Sequence, residues 1–268
     1  ENRPDCPAAS LVSLCFGSEK PRFREEKRDG CLRLDAVDCS FLAELSHTLN
    51  APQQRAVRRA LCAVDAAIVH GPPGTGKTTT IVAFILEAAY RKHRLLVTAP
   101  SNVAVDNLLE RVVKTGLQSV VRLGHPARVQ DELHRFTIDN VVYNSDQAAL
   151  CRDLKKEIDD ALKSRGRKSS KGAADRRSNE ELAALRKELR QRERRAVAEV
   201  LKRTQVVFAT CAGAATLHRE IRSKGGDVAG SWGFDVVIID EAAQALEVAC
   251  WIPLLLGRKA VLAGDHQQ

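Results

Sequence analysis

An α/β fold, with a parallel sheet covered by helices on both faces, is what this sequence predicts. Short apolar runs alternate with amphipathic stretches at helical spacing through most of its 268 residues. Several of the apolar runs carry no polar alternation, as expected of strands buried on both faces. A glycine-rich turn at residues 71–76 joins one such run to the start of a helical stretch.

The elements follow in order from residue 53. Residues 53–63 set Ala56, Val57, Ala60 and Leu61 on one face and Arg55, Arg58 and Arg59 on the other, which suits a helix. Residues 66–69 form a short apolar strand, 77–90 a helix and 95–99 a buried strand. Ser101 is a good N-cap for a helix running to about Thr115. Strands are expected again at 120–123, 206–210, 236–239 and 260–263.

Between the third and fourth strands lies a charged block. Leu150, Leu154, Ile158 and Leu162 recur every four residues, and Leu182, Leu185 and Leu189 lie three and four apart. Residues 164–178, rich in Ser, Gly, Lys and Arg, read as a loop between two helices. An inserted basic helical subdomain is therefore expected over 129–203, within a main domain of 49–268. Residues 1–48 read as a separate segment, the end of a stalk or barrel domain.

The charge has an address. The chain carries +8, yet residues 151–205 hold 18 Lys/Arg against 10 Asp/Glu, and the remainder holds 24 of each. A basic block of this kind suits an anionic partner such as nucleic acid, or a protein-docking face. No apolar run reaches the ~18 residues that cross a bilayer, so no membrane partner is expected. The eight cysteines form no CxxC pair, and no His lies at zinc-ligand spacing from two of them. They read as free thiols in a protein that is not secreted. The lack of Met and the end at Gln268 read as marks of an internal piece of a longer protein.

Residues 71–78, Gly-Pro-Pro-Gly-Thr-Gly-Lys-Thr, fit the phosphate-loop pattern GxxxxGK[ST]. Gly71, Gly74 and Gly76 let the backbone curl so that N–H groups face phosphate oxygens, and Pro72, Pro73, Thr75 and Thr79 complete the loop and the first helical turn. The following helix aims its positive end at the same charge. Lys77 would reach the β- and γ-phosphates of ATP, and Thr78 would offer its hydroxyl to Mg²⁺. The complementary acids are Asp240 and Glu241, after the apolar run 236–239. Asp240 would hold Mg²⁺ through water, and Glu241 would orient and deprotonate the attacking water. Two carboxylates there mark a hydrolysing ATPase rather than a small-molecule kinase. No NKxD motif for reading guanine occurs.

With those two motifs in place, the sequence resembles superfamily 1 helicases, in the subgroup that includes the nonsense-mediated-decay helicase. "GPPGTGKTTT", "APSNVAVDNL", "VVIIDEAAQALE" and "LAGDHQQ" match the family's motifs I, Ia, II and III in order. "VRLGHPAR" and "ACWIPLLL" look like the immunoglobulin mu-binding branch. The resemblance covers roughly residues 50–268 and implies a RecA-like P-loop NTPase domain.

It implies a set of roles as well. Gln53 in "LNAPQQRAV" would read adenine, with Gln54 as the alternative. Gln244 would couple the metal site to nucleic acid or to a second domain, and Gln268 would sense the γ-phosphate. Pro100, Ser101, Asn102 and Thr210 would touch the sugar–phosphate backbone, with Ser101 also serving as a helix cap. The expected activity is 5′→3′ translocation on single-stranded RNA or DNA, and the alternative is an ATP-gated clamp or ribonucleoprotein remodelling switch. A second RecA-like domain of the same protein would supply an arginine finger, so the isolated fragment should be nearly inactive. Ribosome or ribonucleoprotein partners and a cytoplasmic and nuclear location complete the expectation.

Overall fold

Six strands pair side by side, all parallel, in the order β1-β6-β5-β2-β4-β3. They are β1 (Ala66–His70), β2 (Leu95–Ala99), β3 (Val120–Arg122), β4 (Val206–Thr210), β5 (Phe234–Ile239) and β6 (Gly257–Gly264). The computed structural model describes residues 8–17, 19–24, 48–166, 173–222, 233–265 and 267. Every strand expected from the sequence is present. β5 and β6 begin earlier than expected, at Phe234 and Gly257, because ladder pairing carries past the apolar run: Phe234 faces Gly257. That register needs a glycine, since a Cβ at residue 257 would lie 2.3 Å from Val237 Cγ2.

The helices of the sheet unit are α1 (Ala9–Phe16), α2 (Ala51–Cys62), α3 (Lys77–Tyr90), α4 (Asn102–Lys114), α8 (Ala215–Arg222) and α9 (Glu247–Leu254). α2 starts two residues before the apolar pattern, where Asn50 caps it and Pro52 occupies the first turn. Residues 80–89 of α3 are buried on every side, so this helix is the centre of the core. Burying a side chain such as Phe84 stabilises the fold by roughly 1.5–3 kcal/mol. Glu87, buried within α3, accepts from Arg91 Nε at 2.9 Å. The sequence pattern does not mark α8 and α9, since each has only eight residues, below the roughly 10–12 at which length separates a helix from a strand.

The chain divides into two compact units, Glu1–Thr137 with Thr204–Gln268, and Ile138–Arg203. The second unit holds α5 (Ile138–Tyr143), α6 (Asp146–Gly166) and α7 (Ala173–Arg203). α6 and α7 pack together, and Lys155 Nζ lies 2.9 Å from Glu193 Oε1. Two expectations change here. The helices run on through Gly166 and from Ala173, so residues 164–166 and 173–178 are helical rather than loop. Ala, Asp and Arg at 173–177 are compatible with a helix, and their polarity alone suggested a loop. The basic unit also starts at Ile138 and not at 129, because Val129, Leu133 and Phe136 are buried in the core of the sheet unit. Arg186, Arg190, Arg194 and Arg195 on α7 are exposed.

The segment before residue 48 also departs from expectation. Its described part packs onto the sheet unit instead of standing apart. α1 contacts β6. Arg24 N–H donates to the Cys62 carbonyl at 2.7 Å, Val64 N–H donates to the Arg22 carbonyl at 2.9 Å, and Phe23 bridges Ala63. Arg22 forks onto the buried Asp65 carboxylate through Nε at 2.9 Å and Nη2 at 2.6 Å. Residues 25–47 of that segment lie outside the described residues. The five cysteines among the described residues are free thiols, and no helix there is long and apolar enough to cross a membrane.

The Arg22 fork holds the Asp65 carboxyl below its ordinary value of 3.8. A carboxyl depressed in the folded state stabilises it above the ordinary value, and loses that contribution as pH falls through the lowered one. Asp65→Asn should therefore lower Tm by a constant amount at neutral pH. The gap to the unchanged protein should close below about pH 4, in melting curves recorded across the acid range.

Candidate nucleotide and nucleic-acid site

Parallel pairing puts every strand's C-terminal end on one edge of the sheet, and ligands of open α/β sheets bind outside that edge. The order of strands sorts the motifs along it. β1, β6 and β5 are neighbours and are followed by the phosphate loop, by Gly264–Asp265 and by Asp240–Glu241. β2, β4 and β3 come next, followed by Pro100–Asn102, by Thr210–Gly213 and by the 124–130 loop.

The phosphate loop begins where Gly71 N–H meets the Gly264 carbonyl at 3.4 Å. Gly74 and Gly76 have φ of +77° and +82°, left-handed conformations that other residues adopt only with strain. A Cβ on Gly71 would lie 2.7 Å from Thr75 Oγ1, whose hydroxyl donates to the Pro72 carbonyl at 2.7 Å. Pro72, Pro73, Gly74 and Thr75 are exposed, while Lys77, Thr78 and Thr79 are half-buried in the first turn of α3. The first N–H groups of a helix have no partner within it, so those of Lys77, Thr78 and Thr79 remain to meet an anion. Lys77 Nζ rests on the carbonyls of Gly71 and Pro72, the latter at 3.1 Å.

Gln53 is tied to this loop. Its backbone N–H donates to Asn50 Oδ1 at 3.0 Å, its Oε1 accepts from Asn50 N–H at 2.9 Å, and its Nε2 donates to the Thr75 carbonyl at 3.1 Å. Gln54 turns the other way, donating to the Leu49 carbonyl at 3.0 Å. Of the two candidates, Gln53 is therefore the one beside the phosphate loop.

Asp240 leaves β5 with its N–H on the Thr98 carbonyl at 2.8 Å. It is 5% exposed, and burial pushes its carboxyl up; the Glu241 N–H at 3.0 Å and the positive charge of Lys77 oppose that shift. Glu241 has φ of +52°. A left-handed residue with a side chain costs about 1–2 kcal/mol, a strain that collects at functional positions. Gly264 closes the far side: a Cβ there would come 3.1 Å from the Ala243 nitrogen. Gln244 ends a 3₁₀ turn, Ala242–Gln244, and its side chain is exposed on the same edge.

Sequence reasoning missed one acid. Asp265 directly follows β6, is buried, accepts Gln267 N–H at 3.1 Å and lies 3.3 Å from His70 Nε2. Its carboxyl is held low, first by the Gln267 N–H and then by His70 and Lys77. The signal was there, since an acid ending a buried strand is what singled out Asp240. Gln268 itself lies outside the described residues.

The residues expected on nucleic acid occupy adjacent strand ends. Ser101 Oγ accepts from Ala104 N–H at 3.1 Å, so its helix-cap role is real. Thr210 Oγ1 accepts from Gly213 N–H at 3.0 Å, closing the turn after β4. Pro100 and Asn102 are half-buried. Asn102 Oδ1 accepts from Arg122 Nη2 at 2.9 Å.

The donors present fit a magnesium nucleotide. Thr78 and Asp240 carry hard oxygen donors, and Mg²⁺ commonly takes one or two protein oxygens, leaving the rest to water and phosphate.

The family model described as "AAA domain" matches residues 48–268. The chain is 39% identical over 262 residues to "DNA-binding protein SMUBP-2" of Rattus norvegicus, covering 98% of this chain and 24% of that protein. Against "DNA polymerase alpha-associated DNA helicase A" of Schizosaccharomyces pombe it is 40% identical over 236 residues, 87% of this chain and 34% of that one. "ATP-dependent helicase upf1" of the same yeast matches at 34% over 230 residues, 82% and 22%. The chain belongs to the superfamily 1 helicases, in the Upf1-like group close to SMUBP-2. The phosphate loop, Asp240–Glu241 and the parallel sheet are thus parts of a P-loop domain with the RecA-like fold of this family. It spans about a quarter of the length of the SMUBP-2 proteins it matches.

Proposed function

We propose that this domain is the ATP-hydrolysing half of a motor that moves 5′→3′ along single-stranded RNA or DNA and unwinds duplexes ahead of it. The observation that carries this reading is the sorting along one sheet edge. Phosphate loop and acids follow β1, β6 and β5, and the backbone-contacting candidates follow β2 and β4, with β5 and β2 paired directly. A displacement of Asp240–Glu241 during turnover is therefore one strand away from Pro100–Asn102.

In this proposal Gln53 holds the adenine, and the 71–79 backbone with Lys77 holds the triphosphate. Thr78, and Asp240 through water, would hold Mg²⁺, which would supply charge neutralisation to the reacting phosphates. Glu241 orients the attacking water and takes its proton. Gln268 senses the γ-phosphate, and Gln244 passes its state to the strand or to a second RecA-like domain of the same protein. That second domain completes the charge stabilisation, so the half described here turns over ATP poorly alone. Pro100, Ser101, Asn102 and Thr210 hold the sugar–phosphate backbone without reading sequence. Ribonucleoprotein or ribosome partners, and a cytoplasmic and nuclear setting, belong to the same proposal.

The test is ATP turnover by the full-length protein with matched single-stranded RNA and DNA, followed by unwinding of duplexes carrying a 5′ or a 3′ tail. Stimulated turnover and unwinding from the 5′ tail are expected. Turnover indifferent to nucleic acid would overturn the motor reading. Stimulated turnover without unwinding would replace it with an ATP-gated clamp.

A further inference from the structure

We propose that Arg122 is a positioning residue for nucleic acid, acting through Asn102. This deepens the reading above and rests on it. Arg122 ends β3 and its side chain is fully buried, as is its partner Asp106 on α4. Nε donates to Asp106 Oδ1 at 2.8 Å, Nη1 donates to the Leu123 carbonyl, and Nη2 donates to Asn102 Oδ1 at 2.9 Å. The other Asp106 oxygen accepts Gln130 N–H at 3.2 Å. The chain passes over the guanidinium at Gly124, whose φ is +145° and where a Cβ would sit 3.2 Å from Nη1. So the 123–130 loop is wrapped on one buried cation.

The consequence lies in the chemistry of Asn102. A side-chain amide looks nearly the same with its oxygen and nitrogen exchanged, and its orientation must be settled by its partners. A guanidinium has five donors and no acceptor. The atom of Asn102 that meets Arg122 is therefore the carbonyl oxygen, and the NH₂ group faces away from it. Among the described residues no acceptor takes that NH₂. Asn102 stands half-exposed at the first position of α4, next to Pro100 and Ser101 on the sheet edge. It presents a donor of fixed direction, suited to a phosphate or sugar oxygen. An apolar side chain would fill a buried strand position at lower desolvation cost than a cation. Holding the Asn102 carboxamide gives the charge at residue 122 a use that packing alone does not.

A double-mutant cycle on the full-length protein tests this, with a labelled single-stranded oligonucleotide and affinity measured across a salt series. Asn102→Ala should weaken binding about tenfold, the loss of one hydrogen bond to a charged group. The salt slope should not change, because no charge is removed. Arg122→Lys, which keeps a cation for Asp106 but loses the fork, should weaken binding in the natural background and add nothing on top of Asn102→Ala. Melting curves and nucleotide-analogue affinity report folding alongside. Should Arg122→Lys fail to fold, Asp106→Asn loosens the same fork and enters the same two-background comparison. Binding by Asn102→Ala within twofold of the unchanged protein overturns the proposal, and so does an equal loss in both backgrounds. Failure of the unchanged protein to bind the oligonucleotide would instead overturn the motor reading beneath it.

Discussion

Glu241→Gln should leave ATP binding intact and lower nucleic-acid-stimulated turnover by roughly 10²–10⁴-fold, the usual contribution of a positioned general base. The substitution preserves size and hydrogen-bonding reach while removing the ability to take a proton. It also spares the geometry. The Glu241 backbone, left-handed at φ +52°, donates its own N–H to Asp240 Oδ1 at 3.0 Å, and a Gln backbone can do the same. The adjoining 3₁₀ turn packs against Gly264 and is untouched. Asp240 should keep its place, and Mg²⁺-dependent nucleotide affinity should survive. Equilibrium binding of a labelled ATP analogue beside a steady-state turnover assay separates the two effects. Turnover near the unmutated level would remove Glu241 from the catalytic role; affinity lost together with turnover would make it a binding residue instead.

How much of this was legible in the sequence depends on the range of the interaction. The six strands were readable because a strand buried on both faces needs only a run of apolar residues, such as Leu95–Ala99. The phosphate loop was readable because its chemistry is local: three glycines, a Lys and a Thr act within eight residues of chain. Gln53 was singled out by resemblance, yet the reason for its orientation, a bond to the Thr75 carbonyl, spans 22 residues. Arg122 illustrates what stays hidden. Its text, Val-Val-Arg, reads as the end of a strand, and nothing nearby says that the guanidinium turns inward to Asp106 and Asn102, 16 and 20 residues away. Asp65 is similar, since its partner Arg22 arrives from a segment that reads as separate from the main domain. Charge pairs between distant segments leave no periodic trace, and the same holds for the α1–β6 contact. That contact places α1 on the sheet unit rather than apart from it.

Lys77→Ala should affect the site in two directions at once. Loss of the ammonium removes a cation directed at the transferring phosphate, and removal of one such preorganised group costs about 10²–10³-fold in kcat. Nucleotide affinity should fall as well, because the loop's N–H groups then face the triphosphate without a full positive charge. The second effect concerns Asp240. Burial already pushes that carboxyl up, and the Lys77 charge pulls it down. Without Lys77 its pKa should rise further, so metal binding and the residual turnover should require higher pH than in the unchanged protein. The fold should be preserved: a buried carboxyl that loses its cation can take up a proton, and among the described residues Lys77 bonds to the loop carbonyls of Gly71 and Pro72 alone. The check is a pH series of Mg²⁺-dependent analogue binding on Lys77→Ala and on Lys77→Arg, with melting curves recorded in parallel. Lys77→Arg keeps the charge near Asp240 but changes the reach and shape of the donor, so it should lose turnover with little shift of the pH midpoint. Equal pH midpoints for Lys77→Ala and the unchanged protein would mean that Lys77 acts on the phosphates alone and leaves Asp240 to be set by burial and the Glu241 amide.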